Sequence, residues 1–205
     1  MKSSTAILAL AGSLSCAFAA PQGTAFQGFP LPPADTPYYY FRTSVLPNQT
    51  EKYDYDHLYM TAYHTGAGTS DVTFQSEPLN GHRGWFNGSS LRWFQPTKPT
   101  DAPFGLTKGS GTTYDYWYPV AINGGEGSGH FVLDSNMNLV VTKDGSISNW
   151  LVCDGSHNAP QLYNTVSYAA DVPIPDTCAK VNLVAELAPP LLEPPTVNIN
   201  TFMGA

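Results

Sequence analysis

The chain has 205 residues, with 9 Lys and Arg against 16 Asp and Glu and a formal net charge of −7. No stretch gathers Lys and Arg into a patch or stripe, which argues against nucleic acid as a partner, because phosphate recognition needs clustered cations. Charged residues make up only 12% and aromatic residues 13%, a balance common among extracellular β domains rich in Tyr, Thr, Ser, Asn and Gly.

Residues 1–19 read as a secretory signal. Lys2 supplies the positive start, and Ala6-Ile7-Leu8-Ala9-Leu10-Ala11 opens an apolar run too short to span a bilayer. Small residues are required at −3 and −1, and Ala17-Phe18-Ala19 places alanines there for a cut after Ala19. Cutting one residue later would put Phe18 at −3 and Pro21 at +1. The expected protein is therefore secreted, with no membrane span. Cys16 leaves with the signal, so Cys153 and Cys178 remain, and an even count in an oxidising compartment predicts that they pair. The loop so closed has about 26 residues, for which chain entropy gives roughly 3.5 kcal/mol of stabilisation. Secretion also makes Asn48-Gln49-Thr50 and Asn87-Gly88-Ser89 candidate N-glycosylation sites, both in turn-like surroundings.

Residues 20–37 carry five prolines and no periodicity, which reads as an extended leader. The β domain is expected over 38–187. Tyr38-Tyr39-Tyr40-Phe41-Arg42-Thr43-Ser44-Val45 is its first strand, rich in aromatic and β-branched residues. A charged loop holding the first sequon follows. The second strand runs from His57 to His64 and alternates Leu58, Met60 and Ala62 with His57, Tyr59 and Tyr63. A Gly-rich turn then leads into a hairpin partner at Asp71-Val72-Thr73-Phe74-Gln75. Short strands at 84–88 and 90–95 flank a tight Asn-Gly turn. Residues 96–111 read as a long Pro/Gly loop. A strand over 113–122 contains Pro119, a mark of an edge or bulge. Hairpin strands at 130–134 and 138–142 follow, and then strands at 149–154, 161–166 and 179–186. The tail, 188–205, is again Pro-rich, reads as flexible, and lacks the apolar run of a lipid-anchor signal.

No helical stripe runs through the mature chain. About ten short strands with turn signals every 8–12 residues predict a single-domain, all-β sandwich or barrel with one disulfide. A β-trefoil is the alternative, although no threefold repeat is visible. The Trp150 strand, Asn149-Trp150-Leu151-Val152-Cys153-Asp154, and its expected partner, Cys178-Ala179-Lys180-Val181-Asn182-Leu183, form the centre of that domain.

No assembled catalytic motif is legible, so no catalytic residue is assigned. The five histidines, His57, His64, His82, His130 and His157, show no HxH, HExxH or cysteine-histidine spacing, and neither a metal nor another cofactor is expected. Carboxylate pairs such as Asp54 with Asp56, or Glu126 with Asp134, would suit a glycosidase only if folding brings them together. Asp71, Asp144, Asp171 and Asp176 read as turn formers. GxSxG is absent, and the 124–129 glycine run is not followed by a helix, so neither an α/β-hydrolase nor a nucleotide loop is indicated. Trp85, Tyr116 and Trp117 are the candidate binding aromatics, because rings beside polar turns can stack on sugars. Trp85 and Tyr116 fit either the core or an exposed platform, whereas Trp93 and Trp150 fit the core.

The segments Leu58-Tyr59-Met60-Thr61-Ala62-Tyr63-His64-Thr65-Gly66-Ala67-Gly68, Trp150 to Asp154, Pro160-Gln161-Leu162-Tyr163 and Cys178 to Leu183 carry a resemblance. Together they look like a family of small secreted proteins from filamentous ascomycetes with a domain of unknown function. That family has no established activity, so the resemblance implies only a fungal source, secretion and a β-rich domain with this cysteine pair. In its pattern two aromatics follow the Cys-Asp; here Gly155 and Ser156 stand in their place, while His157 is kept. The layout is more loosely similar to fungal cell-wall and IgE-binding surface proteins. The expected function is that of a non-enzymatic, secreted β domain at or near the cell wall, binding a glycan or a host surface partner. The alternatives are a carboxylate-dependent hydrolase and a secreted effector or allergen-like protein.

Overall fold

A computed structural model describes residues 32, 35–79, 82–93, 104–109, 117–142, 149–165 and 174–189. The expected signal, most of the leader and tail, and Tyr116 lie outside the described residues. The described residues form twelve strands: β1 Tyr38–Val45, β2 Tyr59–Gly66, β3 Thr69–Gln75, β4 Gly84–Asn87, β5 Ser90–Trp93, β6 Phe104–Lys108, β7 Trp117–Gly124, β8 Phe131–Leu133, β9 Leu139–Val141, β10 Asn149–Asp154, β11 Pro160–Thr165 and β12 Cys178–Ala188. Among the described residues the only helical segment is a 3-10 turn, Thr50–Tyr55, in the loop that holds the first sequon.

The sheet is all-β and closes into a nine-stranded barrel with one additional strand. The ring β10-β12-β1-β4-β5-β6-β7-β3-β11 returns to β10 through the β10–β11 hairpin. β2 bridges β1 and β3 as the added strand. β8 and β9 form a separate two-stranded ribbon. Closure removes the open edges that a sandwich or flat sheet would have to protect, and a barrel, rather than a sandwich or trefoil, is the outcome.

Alternation fills the interior. Phe41 and Thr43 of β1, Met60 of β2, Val72 and Phe74 of β3, Leu91 and Trp93 of β5, Val120 and Ile122 of β7 and Leu183 of β12 are all buried. Each sits two residues from its inward neighbour, as the pleat requires. Trp93 packs on Phe41 with ring centroids 6.2 Å apart. Trp150 is also in the core, where its indole Nε1 donates to the Leu139 carbonyl at 2.7 Å. That bond ties the β8–β9 ribbon to β10, and Phe131, Leu139 and Val141 of the ribbon join the same apolar cluster.

Several local readings are corrected. Residues 104–108, expected to be loop, form β6 between β5 and β7. Gly105 disguised it: a side chain there would collide with the backbone of Gly127, so the glycine marks a crossing of two chain segments and not a turn. β7 is consequently no edge, since β6 lies on one side and β11 and β3 on the other. β2 begins at Tyr59, because His57 adopts a left-handed φ of 58° in the approach to the strand. The β4–β5 hairpin has Gly88-Ser89 at its centre, since Asn87 already pairs with Ser90. Gly88 has φ +60°, which glycine adopts without cost.

Cys153 and Cys178 face each other directly across β10 and β12 and are joined by a disulfide. The next residue, Asp154, accepts a hydrogen bond from the Tyr55 hydroxyl at 2.6 Å, and the Thr177 carbonyl lies 2.9 Å from the same oxygen. The 3-10 turn is thereby held against the disulfide. Burial, followed by the Asp154 hydrogen bond and charge, pushes the Tyr55 phenol up to about 12.

Two stability predictions follow from this corner. Replacing both cysteines (Cys153→Ala with Cys178→Ala) should cost roughly 3 kcal/mol, which for a domain of this size lowers the thermal midpoint by roughly 6–12 °C. An unchanged midpoint by calorimetry would show the bond to be energetically idle. The Tyr55 contribution is fully present below the unfolded value of 10.0 and is lost as pH rises through about 12. Chemical denaturation across that alkaline window should therefore show a smaller loss of stability in Tyr55→Phe than in the parent.

Candidate functional site

The outer face of β2 carries the chemistry. Its register with β3 is unbroken from Tyr59↔Gln75 to Tyr63↔Asp71, so Tyr59, Thr61 and Tyr63 share the side facing away from Met60 and the core. Thr61 and Thr73 sit opposite each other on this side, buried, with hydroxyl oxygens 3.0 Å apart. The two tyrosines stand to either side of them along the strand.

Tyr63 is 47% exposed. One face of its ring lies nearly parallel to the His157 imidazole, at a centroid distance of 4.1 Å and an angle of 19°. His157 Nε2 is 2.7 Å from Asp71 Oδ2. An ionised carboxylate only accepts, so the imidazole hydrogen sits on Nε2, and in the neutral ring Nδ1 is left as an acceptor. Asp71 is cross-strand from Tyr63 and also meets Ala121 of β7. Three elements thus fix one ring: β2 carries it, the 155–159 loop backs it, and β3 orients the backing. The loop closes tightly at Gly155, where a side-chain carbon would come within 2.6 Å of the Ala159 carbonyl oxygen. Glycine at this position is a steric requirement of the loop that presents His157.

A second group of aromatic and charged side chains lies toward the start of β2. The Tyr59 hydroxyl donates to Glu186 Oε2 at 3.1 Å, and Arg42 Nε donates to Glu186 Oε1 at 2.6 Å. Tyr40 meets Tyr59 edge to face, with centroids 6.3 Å apart. Burial first, and then the Glu186 charge, raise the Tyr59 phenol above its ordinary value. Arg83 stacks its guanidinium over Tyr40 at 5.7 Å and donates from Nη1 to the Pro189 carbonyl. Beyond Tyr59, the edge of β2 is covered by another route: the Ala62 amide donates to His82 Nδ1 at 3.2 Å. Burial lowers the His82 pKa, which keeps that nitrogen free to accept.

The structure disperses most of the other expected site residues. Trp85 is only 7% exposed and packs edge-on against Tyr38 at 5.8 Å, so it offers no open ring face. Trp117 is half-buried against Tyr163 at 5.0 Å, beside the disulfide. Asn48 and Asn87 are both exposed, as glycan acceptors must be. Asp56 caps the Val45 amide and pairs with His57. Glu126 pairs with buried Arg92, and Asp134 accepts from Asn136 and Asn138 within its own loop. Each of those acids is committed to a local partner. Asp71, expected as a turn former, lies within β3 and holds His157. Among the described residues no three His, Cys, Asp or Glu side chains gather into a metal-binding group. A polar, open cleft of about 490 Å³ beside the disulfide is lined in part by Glu51, Lys52, Asp176 and Lys180.

The Tyr63–Asp71–His157 cluster has no signature in the sequence, because His157 and Asp71 are 86 positions apart. No local motif brings the three residues together, and only the folded arrangement of β2, β3 and the 155–159 loop does so. With both partners partly exposed, the Asp71–His157 pair contributes roughly 0.2–1 kcal/mol. Asp71→Ala should accordingly leave the thermal midpoint almost unchanged while freeing the imidazole. The His157 and Tyr63 ring resonances would then lose their mutual ring-current shifts in NMR spectra, and retention of those shifts would show that the stack holds itself.

No curated protein matches the chain. No solved structure matches it either. A family model described as Domain of unknown function (DUF7907) matches residues 36–187, the stretch from β1 to near the end of β12, and the chain belongs to that family.

Proposed function

We propose that this is a secreted, non-enzymatic β domain that binds a glycan at or near a fungal cell wall, with Tyr63 as the principal contact. One observation carries the reading: a half-exposed tyrosine ring, backed by a parallel imidazole, with a carboxylate at its side. A sugar presents a C–H face that packs on an aromatic ring and hydroxyls that donate to a carboxylate. Fixing the ring beforehand lowers the entropic cost of binding. Of the candidate aromatics Trp85, Tyr116 and Trp117, Trp85 is buried, and in this reading Tyr63 takes the principal role. The disulfide is compatible with an extracellular setting, and the N-terminal signal and two sequons support the same location.

The hydrolase alternative keeps one foothold, the cleft that Glu51 and Asp176 both line. Lys52 donates to the Asp176 carbonyl there, so the cleft mixes both signs of charge, and its acids are exposed. A screen of glycosidase and esterase substrates separates the readings, since turnover abolished by Glu51→Gln would replace binding with catalysis. For the binding reading, the mature chain should be retained on at least one of a panel of wall glycans and chitin. Tyr63→Ala should weaken that retention about fivefold or more, equivalent to roughly 1 kcal/mol. Absence of retention across the panel would overturn the proposal.

A further inference from the structure

The glycan-binding reading leaves open whether the surface takes a terminal sugar or a chain. We infer that it takes an extended, unbranched, neutral polysaccharide chain laid along β2. The inference rests on that reading and adds a second contact, Tyr59, together with a direction.

Tyr59 and Tyr63 are four residues apart on one face of an unbroken strand, which separates their origins by about 13 Å. Each ring is held by a neighbour: Tyr63 by the His157 face, Tyr59 by the Tyr40 edge and the Glu186 carboxylate. Each has a carboxylate at its side, Asp71 in one case and Glu186 in the other. Each carboxylate already has a basic partner, His157 or Arg42, that fixes its position. The same unit, a braced ring beside an oriented carboxylate, is therefore repeated along one line. Thr61 and Thr73 between the units are buried and bonded to each other, so the contact is made by the rings and not by a groove between them. A terminal sugar uses one unit; a ligand with its own repeat uses both. The two carboxylates and a chain charge of −7 disfavour an anionic polysaccharide.

Two stations on one rigid strand make the second contact intramolecular, so affinity should rise with oligomer length once both are reached. The test is calorimetric titration of the mature chain with neutral oligosaccharides, chitin- and β-glucan-derived, from two to eight sugars. Affinity should climb at least tenfold between the shortest and the spanning oligomers and then level off. Tyr59→Ala should remove most of that climb, and Tyr59→Phe should preserve it. In the unaltered protein, the longest oligomer should shift the ring resonances of both Tyr59 and Tyr63, a readout that does not depend on any variant folding. Equal affinity at all lengths, or shifts at Tyr63 alone, would overturn the chain-binding inference and leave the glycan-binding reading standing. No binding by any oligomer or wall glycan would instead remove the reading on which the inference rests.

Discussion

The pairing of β12 with β1 joins the end of the domain to its beginning, over eight positions from Tyr38↔Ala188 to Val45↔Val181. The rest of the barrel is arranged around it. β12 also pairs with β10 through the disulfide-bearing positions, and β1 continues to β2 and β4. Removing this ladder would open the ring at its longest seam and expose the backbone groups of two strands to water or to a second chain. Contacts of such sequence separation form only after a large loop entropy has been overcome, which makes this seam a costly one to assemble.

The same seam places the proposed surface. Glu186 lies cross-strand from Tyr40 on β1, and Arg42 lies cross-strand from Tyr59 on β2. The Arg42–Glu186–Tyr59 group therefore exists only when β12, β1 and β2 are adjacent. Arg83 is the unusual member of this neighbourhood. It is buried, its Nε has no hydrogen-bond partner, and among the described residues no carboxylate pairs with it. Its partners among the described residues include the Tyr40 ring and the Pro189 carbonyl. An aromatic face partly replaces the hydration such a cation loses, and the arrangement ties the end of β12 to the start of β4.

The glycines show how one residue type serves opposite structural purposes. Gly88 is a turn glycine with a left-handed backbone, and the sequence made that legible because Asn-Gly between two strand patterns is a local signal. Gly105 is a strand glycine, present because Gly127 passes over it. Nothing within several residues of Gly105 distinguishes it from a loop glycine; the deciding neighbour is more than twenty residues away. Aromatic residues divide in a similar manner. Trp93 and Trp150 were legible as core from their apolar strands. Trp85 was ambiguous between core and platform, because the residues that cover its ring include Tyr38 of β1, more than forty positions away.

Period-two patterning, turn residues and cysteine count were sufficient by themselves to determine an all-β domain, most of its strands and the Cys153–Cys178 bond. Each of those depends on local alternation, local backbone preference or a choice with one outcome. Closure into a barrel, the strand status of 104–108 and the meeting of Tyr63, Asp71 and His157 were decided only by the tertiary structure. These depend on which strands lie side by side, and pairing between distant strands is set by how the whole set of apolar faces can be buried at once. A ring, its brace and its carboxylate, drawn from three separate places in the chain, become a site only under that condition.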